Sequence, residues 1–134
     1  MYARIDNVDL LCADADAMAD FYHGVLGLPF YLPYEPGEGW VALDAGNLTI
    51  YVFQTENADR EPRRTPVNEV NRPGWDSIAF QVDDLDAEIA RLDGRVEWAA
   101  DVIKWEHPSG TWYRYRPMYD PEGNMFYVTE PHPA

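Results

Sequence analysis

Cysteine, histidine and long apolar runs are scarce in this chain of 134 residues. Its one cysteine, Cys12, cannot form a disulfide within the chain, as is typical of proteins from a reducing compartment. No stretch reaches the ~18 consecutive apolar residues that a membrane-spanning helix needs. The first ten residues do not join a basic region to an apolar run, so we expect no signal peptide and a cytoplasmic location.

Basic residues are also few. The chain has 10 Lys and Arg residues against 24 Asp and Glu residues, which gives a formal net charge of −14. Such a charge repels phosphate backbones and makes nucleic acid a poor partner. It either keeps the protein soluble or attracts cationic small molecules.

Two segments of the chain follow a strand-then-helix pattern. Alternating residues predict strands over 5–12 and 76–82. Apolar residues at helical spacing predict a helix from the N-cap Asp14 to Gly27, and a second helix from Asp84 to Gly94. We expect Cys12 to face the core under the first helix.

The two segments repeat one another. Asp14 and Asp84 lie 70 residues apart, and the same offset relates Asp6 to Asp76, Asp16 to Asp86 and Ala17 to Ala87. Gly-Asn pairs at 46–47 and 123–124 each precede a β-rich run. We therefore expect one domain over 1–134 made of two similar units, 1–54 and 74–134, joined by a polar linker over 55–73.

Three sequence segments carry a family resemblance. DADAMADFYHGVLGLPF, DSIAFQVDDLDAEIARL and YDPEGNMFYVTEP resemble the vicinal oxygen chelate superfamily, which includes glyoxalases, bleomycin resistance proteins and extradiol dioxygenases. The resemblance implies an α+β fold, in which two βαβββ units form a cup-shaped mixed sheet. It also implies a homodimer, with ligand and metal inside the cup.

The positions that hold metal in members of that superfamily correspond here to Asn7, Tyr51, Ser77 and Tyr127. These side chains are poor ligands for a divalent first-row metal, which prefers imidazole, carboxylate or thiolate. We therefore expect no metal and no other cofactor. A lone histidine such as His107 is more often a surface residue than a ligand, although Glu106 and His107 could bind metal adventitiously.

Strand alternation predicts which side chains line the cup. We expect aromatic groups with a few hydroxyl, amide and carboxylate groups, which suits a flat apolar ligand with polar edges. Aromatic residues also concentrate in the loop 30–40 and over 98–119, where they either stack on a ligand or form core and dimer contacts. The candidate ligand-binding residues are Asn7, Asp9, Trp40, Tyr51, Phe53, Ser77, Trp112, Arg114 and Tyr127.

Charged residues near this set leave alternatives open. Asp9 either meets a cationic or hydrogen-bonding ligand or pairs with Arg114 or Arg116. We expect Arg114 to form a salt bridge, with Asp120 or Glu122 as its partner. In the linker, Arg60, Arg63 and Arg64 either contact an acidic ligand or remain solvated.

The sequence favours a metal-free protein that sequesters a planar aromatic natural product, cationic or neutral, as antibiotic-resistance proteins of this type do. The alternative is an enzyme (an isomerase, lyase or cyclase) with Asp9 as acid or base beside Tyr51 or Tyr127, or with non-standard metal ligands. A third interpretation is a dimeric scaffold whose aromatic residues bind partners. No Ser/His/Asp or Cys/His nucleophile and no phosphate-binding loop is found.

Overall fold

The computed structural model describes all residues, Met1–Ala134, and the chain divides into two compact units, Met1–Arg60 and Glu61–Ala134. The boundary lies inside the polar segment 55–73. That segment contains one short 3₁₀ turn, Asn68–Val70, and no strand. None of the helices has the length and apolar character needed to cross a bilayer.

The first unit is a three-stranded sheet with one helical segment. Its elements are β1 Asn7–Cys12, α1 Ala15–Ala19, a π-helical segment Asp20–Val25, β2 Trp40–Asp44 and β3 Thr49–Gln54. The strand order is β1-β3-β2, with β1 parallel and β2 antiparallel to β3. The strand that should follow the helix in a βαβββ unit is reduced to a single bridge between Phe30 and Leu43.

The first helical segment begins and ends where the sequence predicts. The Asp14 side chain accepts a hydrogen bond from the Ala17 backbone nitrogen at 3.1 Å. Gly27 has φ +86°, and its nitrogen donates to the His23 carbonyl at 3.0 Å, which closes the end with the αL glycine motif. The π-helical second half is a difference from the regular helix that the spacing predicts.

The second unit has one helix and a larger sheet. Its elements are β4 Ile78–Gln81, α2 Leu85–Leu92, β5 Glu97–Trp98, β6 Ile103–Glu106, β7 Trp112–Tyr119 and β8 Met125–His132. The sheet runs β4-β8-β7, and the two short strands β5 and β6 both pair with the other edge of β7. Because β5 and β6 together act as one interrupted strand, this unit keeps the βαβββ pattern.

Each unit buries the sheet face that lies against its own helix. Cys12, Ile50 and Val52 are buried in the first unit, as the alternation predicts, and Val41 is buried beside them. The second unit buries Leu85, Leu92, Met118, Phe126 and Val128. The mixed α+β fold is confirmed, with strands slightly shorter than the predicted 5–12 and 76–82.

Candidate functional site

The first unit leaves one sheet face without a covering helix. On this face Asp9 pairs with Tyr51, while Phe53 pairs with Leu11 on one side and Trp40 on the other. The rings of Tyr51 and Phe53 are nearly parallel, with centroids 5.9 Å apart. Leu11 is 64% exposed and Phe53 39% exposed, so the face presents apolar surface to its surroundings. We call this surface the open face of the first unit.

Asp9 is held on that face by a neighbour on its own strand. The Asn7 amide nitrogen donates to Asp9 Oδ1 at 2.7 Å, because residues two apart on a strand lie on the same face. Arg114 and Arg116, the two cations considered for Asp9, form their ion pairs with carboxylates of their own unit. Asp9 is exposed, in contrast to the enclosed carboxylate that the sequence suggests.

The second unit also leaves the face opposite its helix open. Along β7 and β8 this open face of the second unit carries Tyr113, Tyr115 and Tyr127, with Trp105 beside them on β6. The rings of Tyr115 and Tyr127 lie 4.8 Å apart, and those of Trp105 and Tyr113 lie 5.8 Å apart. The four rings thus lie as two contacting pairs on one face of three adjacent strands, and we call them the aromatic cluster.

Tyr127 belongs to this cluster and lies on β8, an interior strand of the sheet. Burial raises its pKa above the usual value of 10.0, and the nearby Tyr115, Asp76 and Tyr113 add to the shift. Its phenol is therefore neutral at physiological pH and can donate a hydrogen bond. A neutral phenol beside other aromatic rings suits the polar edge of a flat apolar ligand.

The four positions that the resemblance assigns to metal form one pair in each unit. Asn7 lies two residues before Asp9, the partner of Tyr51, and Ser77 lies two residues before Ala79, the partner of Tyr127. The two pairs thus occupy equivalent positions in the two units, as the internal repeat predicts. The donors themselves, an amide, a hydroxyl and two phenols, do not fit a divalent metal.

No other residues offer a replacement set. The chain contains no group of three or more His, Cys, Asp or Glu side chains placed to hold a metal ion. His107 Nδ1 lies 2.8 Å from the Ser109 hydroxyl, in the turn that follows β6.

Trp112 and Arg114 do not lie with Tyr127. Their positions on β7 place them on the helix side of the sheet, because Arg114 pairs with Glu130 and Trp112 with His132 on β8. The Trp112 ring stacks on His132 at 3.8 Å. Lys104 Nζ also lies over the Trp112 ring, at 4.7 Å.

The predicted partners of Arg114 were wrong. Its guanidinium bonds to both oxygens of Asp86 on α2, at 3.4 and 3.3 Å, and to Glu130 at 3.3 Å. These hydrogen bonds raise the pKa of Arg114, with Glu130 contributing most. Arg114 therefore ties α2 to the sheet.

Two of the linker arginines, Arg63 and Arg64, have partners inside the second unit. Arg63 forms two hydrogen bonds with Glu97, at 3.0 and 2.9 Å, and its guanidinium lies 4.3 Å from the centre of the Tyr119 ring. Arg64 lies 4.0 Å from Asp76.

The aromatic loop of the first unit packs onto its helix. Phe30 stacks between His23 and Tyr34, with centroid distances of 3.9 and 5.0 Å. The Tyr34 hydroxyl donates to Asp16 at 2.5 Å, and burial together with this bond raises the pKa of Tyr34 to about 12. These rings stabilise the loop and leave Trp40 as the loop's contribution to the open face.

Sequence reasoning did not include Tyr113, Tyr115, Trp105 and Leu11 in the candidate set. Alternation along β1 already places Leu11 beside Asp9. Tyr113, Tyr115 and Trp105 could not be assigned to this face without the pairing register of β7. The register pairs Pro117 with Tyr127, and this pairing puts Tyr115 on the same face as Tyr127.

Comparison with known proteins decides the family. The model of the glyoxalase-like domain matches residues 6–129. The chain belongs to this glyoxalase-like family. It is thus a member of the vicinal oxygen chelate superfamily, and its family resemblance is confirmed. No curated protein matches the chain.

Solved structures agree with this glyoxalase-like fold over almost the whole chain. An integron cassette protein from V. cholerae is 25% identical, with a TM-score of 0.67 over 97% of this chain and 96% of that one. Lactoylglutathione lyase from Agrobacterium tumefaciens is 23% identical, with a TM-score of 0.63 over 96% and 94%. TioX from Micromonospora sp. ML1 is 19% identical, with a TM-score of 0.66 over 96% and 98%. The last two likenesses support the fold alone.

Proposed function

We propose that this glyoxalase-like protein binds and sequesters a planar aromatic small molecule, without using a metal. The observation that carries the proposal is the cluster of Tyr113, Tyr115, Tyr127 and Trp105 on the open face of the second unit. Stacked and edge-on aromatic contacts bind flat rings, and phenol groups at their margin supply hydrogen bonds.

The open face of the first unit supplies a second surface of matching chemistry. It joins Tyr51, Phe53 and Trp40 to the hydrogen-bonded pair of Asn7 and Asp9. An exposed carboxylate beside rings favours a ligand that is both flat and positively charged. The net charge of −14 acts in the same direction, because it raises the local concentration of cations.

Tyr127→Ala tests the proposal. Tryptophan fluorescence is titrated with a panel of planar aromatic antibiotics, both cationic and neutral. We expect saturable quenching by at least one compound, and we expect Tyr127→Ala to weaken that binding by roughly 1–3 kcal/mol, or about 5- to 150-fold.

Tyr31→Ala is the matched control, because Tyr31 is 55% exposed and belongs to the loop between the first helical segment and β2. It should bind as the unchanged protein does. An unresponsive panel, or equal affinities for Tyr127→Ala and the unchanged protein, would contradict the proposal.

A catalytic function is the second candidate, and the geometry around Asp9 favours it. The carboxylate is oriented by Asn7 at 2.7 Å and lies opposite Tyr51, so that a base and a phenol occur side by side. If the protein turns over a bound compound, Asp9→Asn should abolish turnover while binding persists. Turnover that survives Asp9→Asn would remove this candidate.

A further inference from the structure

The open face of the second unit is longer than its aromatic cluster. Pro117 and Tyr119 share a side of β7 with Tyr115, because alternate residues of a strand point the same way. Met125 and Glu97 both pair with Tyr119 and therefore belong to the same end of the face. This end holds an additional phenol, Tyr119, that the aromatic cluster does not include.

Residues 63 and 64, which precede β4 in the chain, cross this end of the open face. The Arg63 guanidinium donates two hydrogen bonds to the Glu97 carboxylate, at 3.0 and 2.9 Å, and lies 4.3 Å from the centre of the Tyr119 ring. The Tyr119 hydroxyl donates to the Arg64 carbonyl at 2.6 Å. Because Glu97 and Tyr119 both belong to the open face, a segment that binds both of them lies over it. We call residues 63 and 64 the strap.

The strap lies close against the sheet. A Cβ atom at Gly123, in the turn between β7 and β8, would come within 3.1 Å of Arg63 Nε. Pro117 and Met125 are buried at this end of the face, whereas the rings of the aromatic cluster remain partly exposed. The strap therefore occupies the space that a ligand would need in order to reach Tyr119.

The uncovered part of the face has a definite length. Four strand positions separate Tyr113 from Pro117, the partner of Tyr127, which corresponds to about 13 Å. A ligand of two or three linearly fused rings lies within that length when its long axis follows β7. A fourth ring would contact the strap. Selectivity of this kind comes from a clash with the larger ligand rather than from a new attraction for the smaller one.

We propose that the strap limits the ligands of the second unit to ring systems of two or three linearly fused rings. Arg63 is the positioning residue for this limit, since it holds the strap on the face through Glu97 and Tyr119 without touching the ligand. The inference rests on the proposed function, because it concerns the ligand that the aromatic cluster would bind.

Two ligands that differ by one ring test the limit. Isothermal titration calorimetry compares 9-aminoacridine, which has three linearly fused rings, with its linear benzo-fused four-ring homologue. We expect the unchanged protein to prefer the three-ring compound by about tenfold or more. In Arg63→Ala and in Glu97→Ala the preference should fall to about threefold or less, because only the four-ring compound gains affinity.

Arg91→Ala is the matched control. Arg91 also forms an ion pair within the second unit, but its partner Glu88 lies beside it on α2, on the other side of the sheet. This variant should keep the full preference. Arg63→Lys should keep part of it, because lysine retains a cation over Tyr119 and cannot form both hydrogen bonds. If Arg63 only stabilised the fold, its loss would weaken both ligands together and leave their ratio unchanged.

The outcomes separate this inference from the proposed function. Equal affinities of the unchanged protein for the two compounds, or a preference that survives Arg63→Ala, would overturn the inference while the proposed function stands. Failure to bind either compound also overturns the inference. Failure to bind the antibiotic panel as well would remove the proposed function with it. Circular dichroism of each variant checks that the fold is intact.

Discussion

Glu130 is the side chain on which three interactions of the second unit converge. Its carboxylate accepts the Leu85 backbone N–H at 2.8 Å, lies 2.6 Å from His132 Nε2 and meets Arg114 at 3.3 Å. These contacts, with the Leu85 bond foremost, lower the pKa of Glu130 to about 2. One strand residue thus holds the start of α2.

Glu130→Gln should reveal this role through the pH dependence of stability. A carboxyl with a folded pKa of about 2 and an ordinary value of 4.5 stabilises the fold above pH 4.5, and that contribution is lost as pH falls toward 2. We expect the unchanged protein to be more stable than the variant at neutral pH, and the gap to close in acid. Urea unfolding midpoints across this range measure it.

Glu106→Gln is the control for that series, because Glu106 forms only an exposed ion pair with Lys104 at 3.4 Å. It should leave the pH profile of stability unchanged. A gap between Glu130→Gln and the unchanged protein that stays constant down to pH 2 would refute the assignment.

Residue partnerships were the least predictable part of the chain from sequence. Arg114 was expected to bind Asp120 or Glu122, its neighbours in sequence, yet it binds Asp86 and Glu130. The register of β7 against β8 and the position of α2 decide this choice, and neither is encoded locally. The same register puts Trp112 on the helix side, away from Tyr127.

At the scale of elements, the two helices begin in the same way. Asp14 and Asp84 are the N-caps, and both have extended backbone conformations. Each side chain accepts a hydrogen bond from the backbone nitrogen three residues later, at 3.1 Å for Asp14 and 3.0 Å for Asp84. Each helix also receives a side chain from the last strand of its unit, as the Gln54 side chain accepts from the Ala15 nitrogen at 3.1 Å. The start of each helix is therefore fixed twice.

Asp84→Ala should lower the free energy of unfolding by about 1 kcal/mol, the usual effect of removing an N-cap. Asp84→Asn should retain most of the stability, because an amide oxygen can accept the same hydrogen bond. Asp83→Ala provides the control, since the adjacent Asp83 does not cap the helix. Thermal unfolding of the three variants measures the effect, and equal losses for Asp83→Ala and Asp84→Ala would contradict it.

Helix ends and strand positions were predictable because their causes are local. Caps, glycines such as Gly27 and alternating apolar residues act over a few positions, and the helix limits agree with them. No local sequence pattern predicts the π-helical segment Asp20–Val25 or the single bridge at Phe30. In the first unit, packing of the loop aromatics onto the helix replaces the missing strand.

At the scale of the whole molecule, the acidic surface should control how fast ligands arrive. If the ligand is cationic, the charge of −14 raises the association rate at low salt, when the screening length is about 30 Å. We expect the rate to fall several-fold between about 0.01 M and about 0.1 M salt, where that length shortens to about 10 Å.

Stopped-flow fluorescence with a cationic and a neutral ligand of similar shape checks this expectation. The neutral compound should associate at a rate that is nearly independent of salt. Identical salt dependence for the two compounds would show that the charge serves solubility alone.

The start of each helix is held by an N-cap and by a side chain from a strand of the same unit, and this has an evolutionary consequence. Caps and strand contacts in one unit come entirely from that unit, so a substitution on one open face leaves the scaffold of the other intact. The two faces have already diverged: one carries an amide and a carboxylate, and the other carries a row of phenols. Selection can therefore change the chemistry of one half of the duplicated chain while its sister half preserves an older preference.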